Sequence, residues 1–196
     1  MAQLDCSAIT AGYVAEACGG TPTPGTTGRV VLMSYNDIDR GRSTVTGGVI
    51  SGIILKSGKK GYEFDTLPNA VTGDASVTQG TYINTVSHSL ALRILAKNQN
   101  AKDFVNQMVN GLVVALVENK NHGDEGEVKW EVYGWNAGLS LSELTAPTEM
   151  SDNVAYSMTL STPSVGSEAM IPMSFYSTSE AETDEAVDAL LSAAGE

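Results

Sequence analysis

Basic residues are missing from the last third of this chain. Residues 130–196 hold 11 Asp and Glu and no Lys or Arg, whereas residues 1–129 hold all 11 bases against 12 acids. The net charge of −12 therefore lies almost wholly at one end of the sequence. Such a field repels phosphate, which excludes nucleic-acid gripping in the ordinary sense. Cysteine is nearly absent as well. Cys6 and Cys18 match neither a C-x-x-C redox pair nor a zinc knuckle, and both are expected to be reduced and uninvolved. No run of about 18 apolar residues occurs, and Met1-Ala2-Gln3-Leu4-Asp5 opens no basic-then-apolar leader. The expectation is a soluble protein made in a cytoplasm, with no signal peptide and no membrane partner.

The catalytic signatures are missing too. There is no G-x-G-x-x-G, no G-x-x-x-x-G-K-[ST] and no G-x-S-x-G, so phosphate cradling and α/β-hydrolase chemistry have no foothold. His88 alternates with apolar neighbours and reads as a packed or interface imidazole; His122 reads as a solvated turn. The acidic stretch Asn121 to Glu127 lacks the order of an EF-hand loop and reads as a hairpin tip. Glu63 and Asp65, two apart on one strand, do not oppose each other across a cleft as a glycosidase requires. Trp130 and Trp135 are the residues a carbohydrate-binding module would use, although aromatics of this kind more often fill a core or a subunit contact. No catalytic residue, metal or cofactor is expected, and the chain reads as a non-enzyme.

What is present is short apolar strands separated by Gly, Ser and Thr. Residues 1–28, with Gly19-Gly20, Pro22 and Pro24, read as an extended arm. Val30 to Tyr35 reads as a buried strand, and Gly48–Lys56 with Gly61–Leu67 as a β-hairpin around Ser57-Gly58-Lys59-Lys60. Ala75–Thr81 and Ile83–Leu95 continue the alternation, with His88, Leu90 and Leu92 on one side. Asn100 to Gly111 reads as a helix capped by Asn100, its stripe Phe104, Val105, Met108 and Val109 facing a sheet. Leu112–Val117 reads as a central strand buried on both faces. Val128–Trp135, Asn153–Thr162 and Ala169–Ser177 complete the strands, and a helix is predicted near 181–193. The fold class is α+β, mainly β: an antiparallel sandwich or barrel over residues 29–178, with one flanking helix and an acidic C-terminal helix or tail over 179–196. Many strands with few protected edges call for pairing with further copies. Arg40, Arg42, Ile50, Ile53, Trp130 and Trp135 are the candidate subunit-interface residues.

The run Leu112–Val117, then Val132-Tyr133-Gly134-Trp135-Asn136-Ala137-Gly138-Leu139, Ser151-Asp152, Tyr156–Leu160 and Glu168 before Pro172 resembles the major tail tube protein of long-tailed bacteriophages, in the form found in phages of gut Bacteroidetes. A weaker match joins Gly28–Leu32 to Asn36-Asp37-Ile38. The resemblance implies a virion structural protein assembled in the bacterial host cytoplasm, a homo-oligomer of hexameric rings whose inner strands close a barrel. These rings would stack into a tube, contact other virion proteins and pass DNA only as cargo. Asn153-Val154-Ala155, where the pattern has a Gly near the Tyr, and the acidic segment after Ser179 depart from it and keep decoration, connector or stopper roles open. On this reading Glu131, Glu143 and Glu149 face the bore.

Overall fold

The computed structural model describes residues 25–121, 125–147 and 154–192. Cys6, Cys18, His122, Glu149, Ser151-Asp152 and most of the expected arm lie outside the described residues. The strands are β1 (Thr26–Ser34), β2 (Thr44–Thr46), β3 (Val49–Gly52), β4 (Tyr62–Asp65), β5 (Val71–Thr78), β6 (Thr85–Ile94), β7 (Leu112–Asn119), β8 (Trp130–Tyr133), β9 (Leu139–Thr145), β10 (Tyr156–Ser161) and β11 (Met173–Phe175). Two α-helices accompany them, α1 (Gln99–Met108) and α2 (Glu180–Leu191). The mainly β class is as expected.

All eleven strands belong to one hydrogen-bonded network in the order β2-β3-β11-β8-β7-β9-β10-β6-β5, with β1 inserted between β7 and β4. β1 and β7 are apolar on both faces because both faces are covered. Val31 and Met33 of β1, with Val114 and Leu116 of β7, face a first core completed by Ile50, Trp130, Phe175 and the α2 residues Val187 and Leu190. Val30, Leu32, Val113, Ala115 and Val117 face a second core, closed by Val71, Leu90, Leu92, Leu139, Met158 and Leu160 from the β9-β10-β6-β5 layer. The result is a β-sandwich with a helix on its outer side. Gly73 in β5 admits the ring of Tyr133 from the facing layer; a Cβ there would sit 2.3 Å from the Tyr133 hydroxyl.

α1 closes one end of the second core. Phe104 stacks on Phe64 of β4 with centroids 5.5 Å apart, and Val105 packs on Ala155 and Tyr156. Its cap is Asn98, whose Oδ1 accepts the Ala101 amide at 2.8 Å, so the helix begins two residues before the expected Asn100 cap. Val109, expected on the packed stripe, is exposed beyond the last turn.

Two strand expectations need correction. The segments Gly48–Lys56 and Gly61–Leu67 do not form a hairpin: β3 pairs with β2 and β11, while β4 pairs with β1. The alternation there belongs to two strands that join the network at different places, β4 beside β1 and β3 between β2 and β11. The β3–β11 pair is parallel, so the sheet is mixed where antiparallel pairing alone was expected. β9 was not predicted, because Ser140, Ser142 and Thr145 dilute its apolar face to Leu139 and Leu141.

Candidate functional site

β8 passes into β9 through a turn that carries the chain from one layer of the sandwich to the other. Gly134 and Gly138 have φ of 76° and 78°, the left-handed region glycine enters without a Cβ clash, and the Gly138 amide donates to the Gly134 carbonyl at 3.0 Å. The turn amides in between find side-chain acceptors far away in sequence. The Glu168 carboxylate accepts from Asn136 at 2.8 Å and from Ala137 at 2.9 Å. His88 Nδ1 accepts from the Gly134 amide at 3.1 Å, and its Nε2–H donates to the Met170 carbonyl at 2.9 Å. A backbone donor at Nδ1 fixes the neutral, Nε2-protonated tautomer. Glu168 and His88 are both buried, so these bonds pin a polar turn inside the fold.

Around the same corner, the Arg40 guanidinium lies 4.4 Å from the Tyr35 ring and 4.6 Å from that of Trp135. Burial pulls it below its ordinary value, against the opposing influence of Tyr35 and Glu168. Its Nη2 is enclosed without a hydrogen-bond partner among the described residues. The Tyr35 hydroxyl donates to the Asn136 carbonyl, which ties the Asn36–Ile38 segment to the turn. On the other side Tyr133 packs edge-on to His88 at 5.7 Å and donates to Glu131 at 3.1 Å. Burial, then the Glu131 charge, pushes the Tyr133 hydroxyl well above its ordinary value.

This corner should make the protein acid-sensitive. Burial holds His88 below its ordinary value near 6.5, outweighing the Met170 bond and the charges of Glu168 and Glu131. The unfolded chain therefore takes up a proton that the folded chain refuses. Stability is undiminished above about pH 6.5 and falls as the pH drops through that value. Urea midpoints measured from pH 7.5 to 5 should decline, and His88→Phe should flatten the decline even though it lowers the midpoint at pH 7.5. An unchanged slope in His88→Phe would assign the acid sensitivity elsewhere.

A second polar cluster latches α2. Lys129 Nζ lies 2.6 Å from Asp184, 3.0 Å from Glu180 and 3.7 Å from Glu118. The Trp130 indole donates to Asp184 at 2.9 Å, and Arg29 pairs with Asp188 at 2.7 Å and with Glu63. Ser179 caps the helix by accepting the Glu182 amide.

Several expected interface residues are corrected by these contacts. Trp130 and Ile50 are fully enclosed in the first core, and Ile53 and Trp135 are buried beside it, so all four pack within their own subunit. Neither tryptophan offers a face to a sugar. Arg40 is half-buried in its aromatic clamp, and Arg42 is exposed in the turn before β2. Of the expected bore residues, Glu131 is half-buried against Tyr133, beside a cavity of about 270 Å³ shared with Gly73, Asn69 and Asn119, and so lies off the outer face. Glu143 is exposed on β9 opposite Thr159.

Sequence reasoning expected unprotected strand edges without locating them. β5 pairs only with β6, β2 only with β3 and β4 only with β1, so three described strands keep an unpaired side. Near the free end of the β5–β6 hairpin, Val77, Tyr82 and Ile83 are 59%, 95% and 70% exposed. Among the described residues no group of three metal-ligating side chains occurs, and no helix is long and apolar enough to cross a membrane. No family model, curated protein or solved structure matches the chain.

Proposed function

We propose that the chain is a non-catalytic structural subunit of a virion, a tail tube protein that assembles with copies of itself into stacked rings through which DNA passes. The observation that carries the self-assembly is the β5 edge. Alternate residues of the eight-residue strand, among them Gly73, Ala75 and Val77, turn backbone groups away from β6, and the strand has none of the proline or lysine that guards an edge against pairing. Edges that differ from one another, as β5, β2 and β4 do, join head to tail, and such contacts close into rings when the rotation allows.

The virion setting comes from the resemblance, and the geometry supports it in one respect. Its scattered motif residues Gly134–Gly138 and Glu168 meet at a single corner, where the Glu168 carboxylate accepts the Asn136 and Ala137 amides. The outer face of the β9-β10-β6-β5 layer suits a bore wall. Ser87, Ser89, Ser157 and Thr159 alternate away from the core there, with Asp74 and Glu143 as carboxylates and Arg93 as a base. A hydroxyl-rich wall with few cations gives phosphates little to bind.

The Arg93 amide donates to the Ala70 carbonyl at 3.1 Å, which sets the phase of the β5–β6 ladder. Thr72, Asp74, Ser76 and Thr78 then bond inward, and the Val77 amide points to the open side. The wild-type protein is expected to elute as a large species and show rings or tubes by negative stain. Val77→Pro removes one outward donor while sparing the ladder, and should elute as a monomer with unchanged circular dichroism. A wild-type chain that stays monomeric at high concentration defeats the proposal.

A further inference from the structure

α2 separates two poles of opposite charge. At its N-terminus the loop after β7 returns against it: a Cβ on Gly126 would lie 2.8 Å from the Glu180 side chain, which puts Glu125 and Glu127 beside Glu180 and Glu182. Burial and then these four carboxylates push the Tyr176 hydroxyl above its ordinary value. At the other end, about 18 Å away along 12 residues of helix, the Gly61 amide donates to the Leu190 carbonyl at 2.7 Å. That bond brings the Lys56-to-Lys60 turn under the helix C-terminus. A cleft of about 580 Å³ opens there, lined by Asp37, Lys59, Lys60, Tyr62, Leu191 and Ser192. Lys59 pairs with Asp37 at 3.3 Å, and Lys60 lies over the exposed Tyr62 ring, leaving the turn with more positive than negative charge.

We infer that this cleft receives the acidic pole of a second copy, Glu125 and Glu127 with Glu182, so that copies stack head to tail along the α2 direction. This rests on the self-assembly reading and names the contact between successive rings. Charge complementarity selects the occupant. A chain of net charge −12 repels itself over most of its surface, and two of its 11 bases, Lys59 and Lys60, stand at this cleft. The two patches differ, so the contact is heterologous, and by repeating without closing it builds a filament. The β5 edge would serve the contact within a ring, which leaves this end face free for the next.

The test is a charge swap read by sedimentation velocity and negative stain in low salt. Lys59→Glu with Lys60→Glu, or Glu125→Lys with Glu127→Lys, should each abolish long tubes and raise the concentration at which stacks appear by about tenfold or more, because like charges then face each other. All four positions are exposed, so the folds should survive, and mixing the two reversed proteins should restore stacking. Wild-type stacks should also dissociate into rings in about 1 M salt, where the screening length falls to about 3 Å. Rings that stack equally well in both reversed variants would overturn this inference while leaving self-assembly standing. A wild type without rings would overturn both.

Discussion

Replacing Glu168 with Ala should destabilise the fold by about 3 to 5 kcal/mol. The carboxylate accepts two amides of a turn it does not neighbour in sequence, and hydrogen bonds to a charged group contribute roughly 1.5 to 3 kcal/mol each. Without it the Asn136 and Ala137 amides lose their partners, and the Arg40 guanidinium loses the nearest buried counter-charge. The Glu168→Gln variant retains one acceptor oxygen and should cost about half as much. Urea denaturation of the three proteins at pH 7.5 reads the difference as a shift in midpoint at constant slope. A Glu168→Ala protein within about 1 kcal/mol of the wild type would mean that the turn satisfies its amides otherwise.

That turn also shows where the sequence was legible and where it was not. β1 and β7 could be read because continuous apolar residues bounded by turn signals leave little else for a buried strand to be. The His88, Leu90, Leu92 alternation likewise placed one face of β6 correctly, and His88 is indeed packed. Its partners could not be read, since Gly134 and Met170 lie 46 and 82 residues away. Glu168 stood out only through the resemblance: by its neighbours Ser167 and Ala169 it looks like any surface acid until the fold brings it under the turn. The apolar interface candidates Ile50, Ile53, Trp130 and Trp135 are buried within the chain for a related reason. Large apolar residues mark burial, and composition does not say whether the covering surface is another subunit or, as for Trp130, the chain's own C-terminal helix.

That helix has the largest expected effect. Removing residues 179–196 should leave a chain that is mostly unfolded at 25 °C or that binds hydrophobic dyes without a cooperative transition. Val187 and Leu190 are buried in the first core, and burying side chains of this size contributes about 1.5 to 3 kcal/mol each. The truncation also exposes what they cover, including Phe175 and Ile53, and takes the acceptor from the enclosed Trp130 indole. The sum approaches the whole stability of a typical domain, about 5 to 15 kcal/mol. The ion pairs contribute less, because Asp184, Glu180 and Asp188 are partly exposed and screened by water. Asp184→Asn separates the two contributions, since the amide oxygen still accepts from Trp130 while the charge facing Lys129 is gone; it should cost only about 1 kcal/mol. The same carboxyl places a limit on acid. Burial pushes it up, but the hydrogen bonds from Lys129 and Trp130 and the charges of Lys129 and Arg29 hold it below its ordinary 3.8. Its contribution is therefore complete above that value and is lost only as the pH falls through the lower folded one. The latch should thus survive the mild acid that already loosens the His88 corner, and a truncated chain that melts like the full-length protein would show the helix to be a solvating tail.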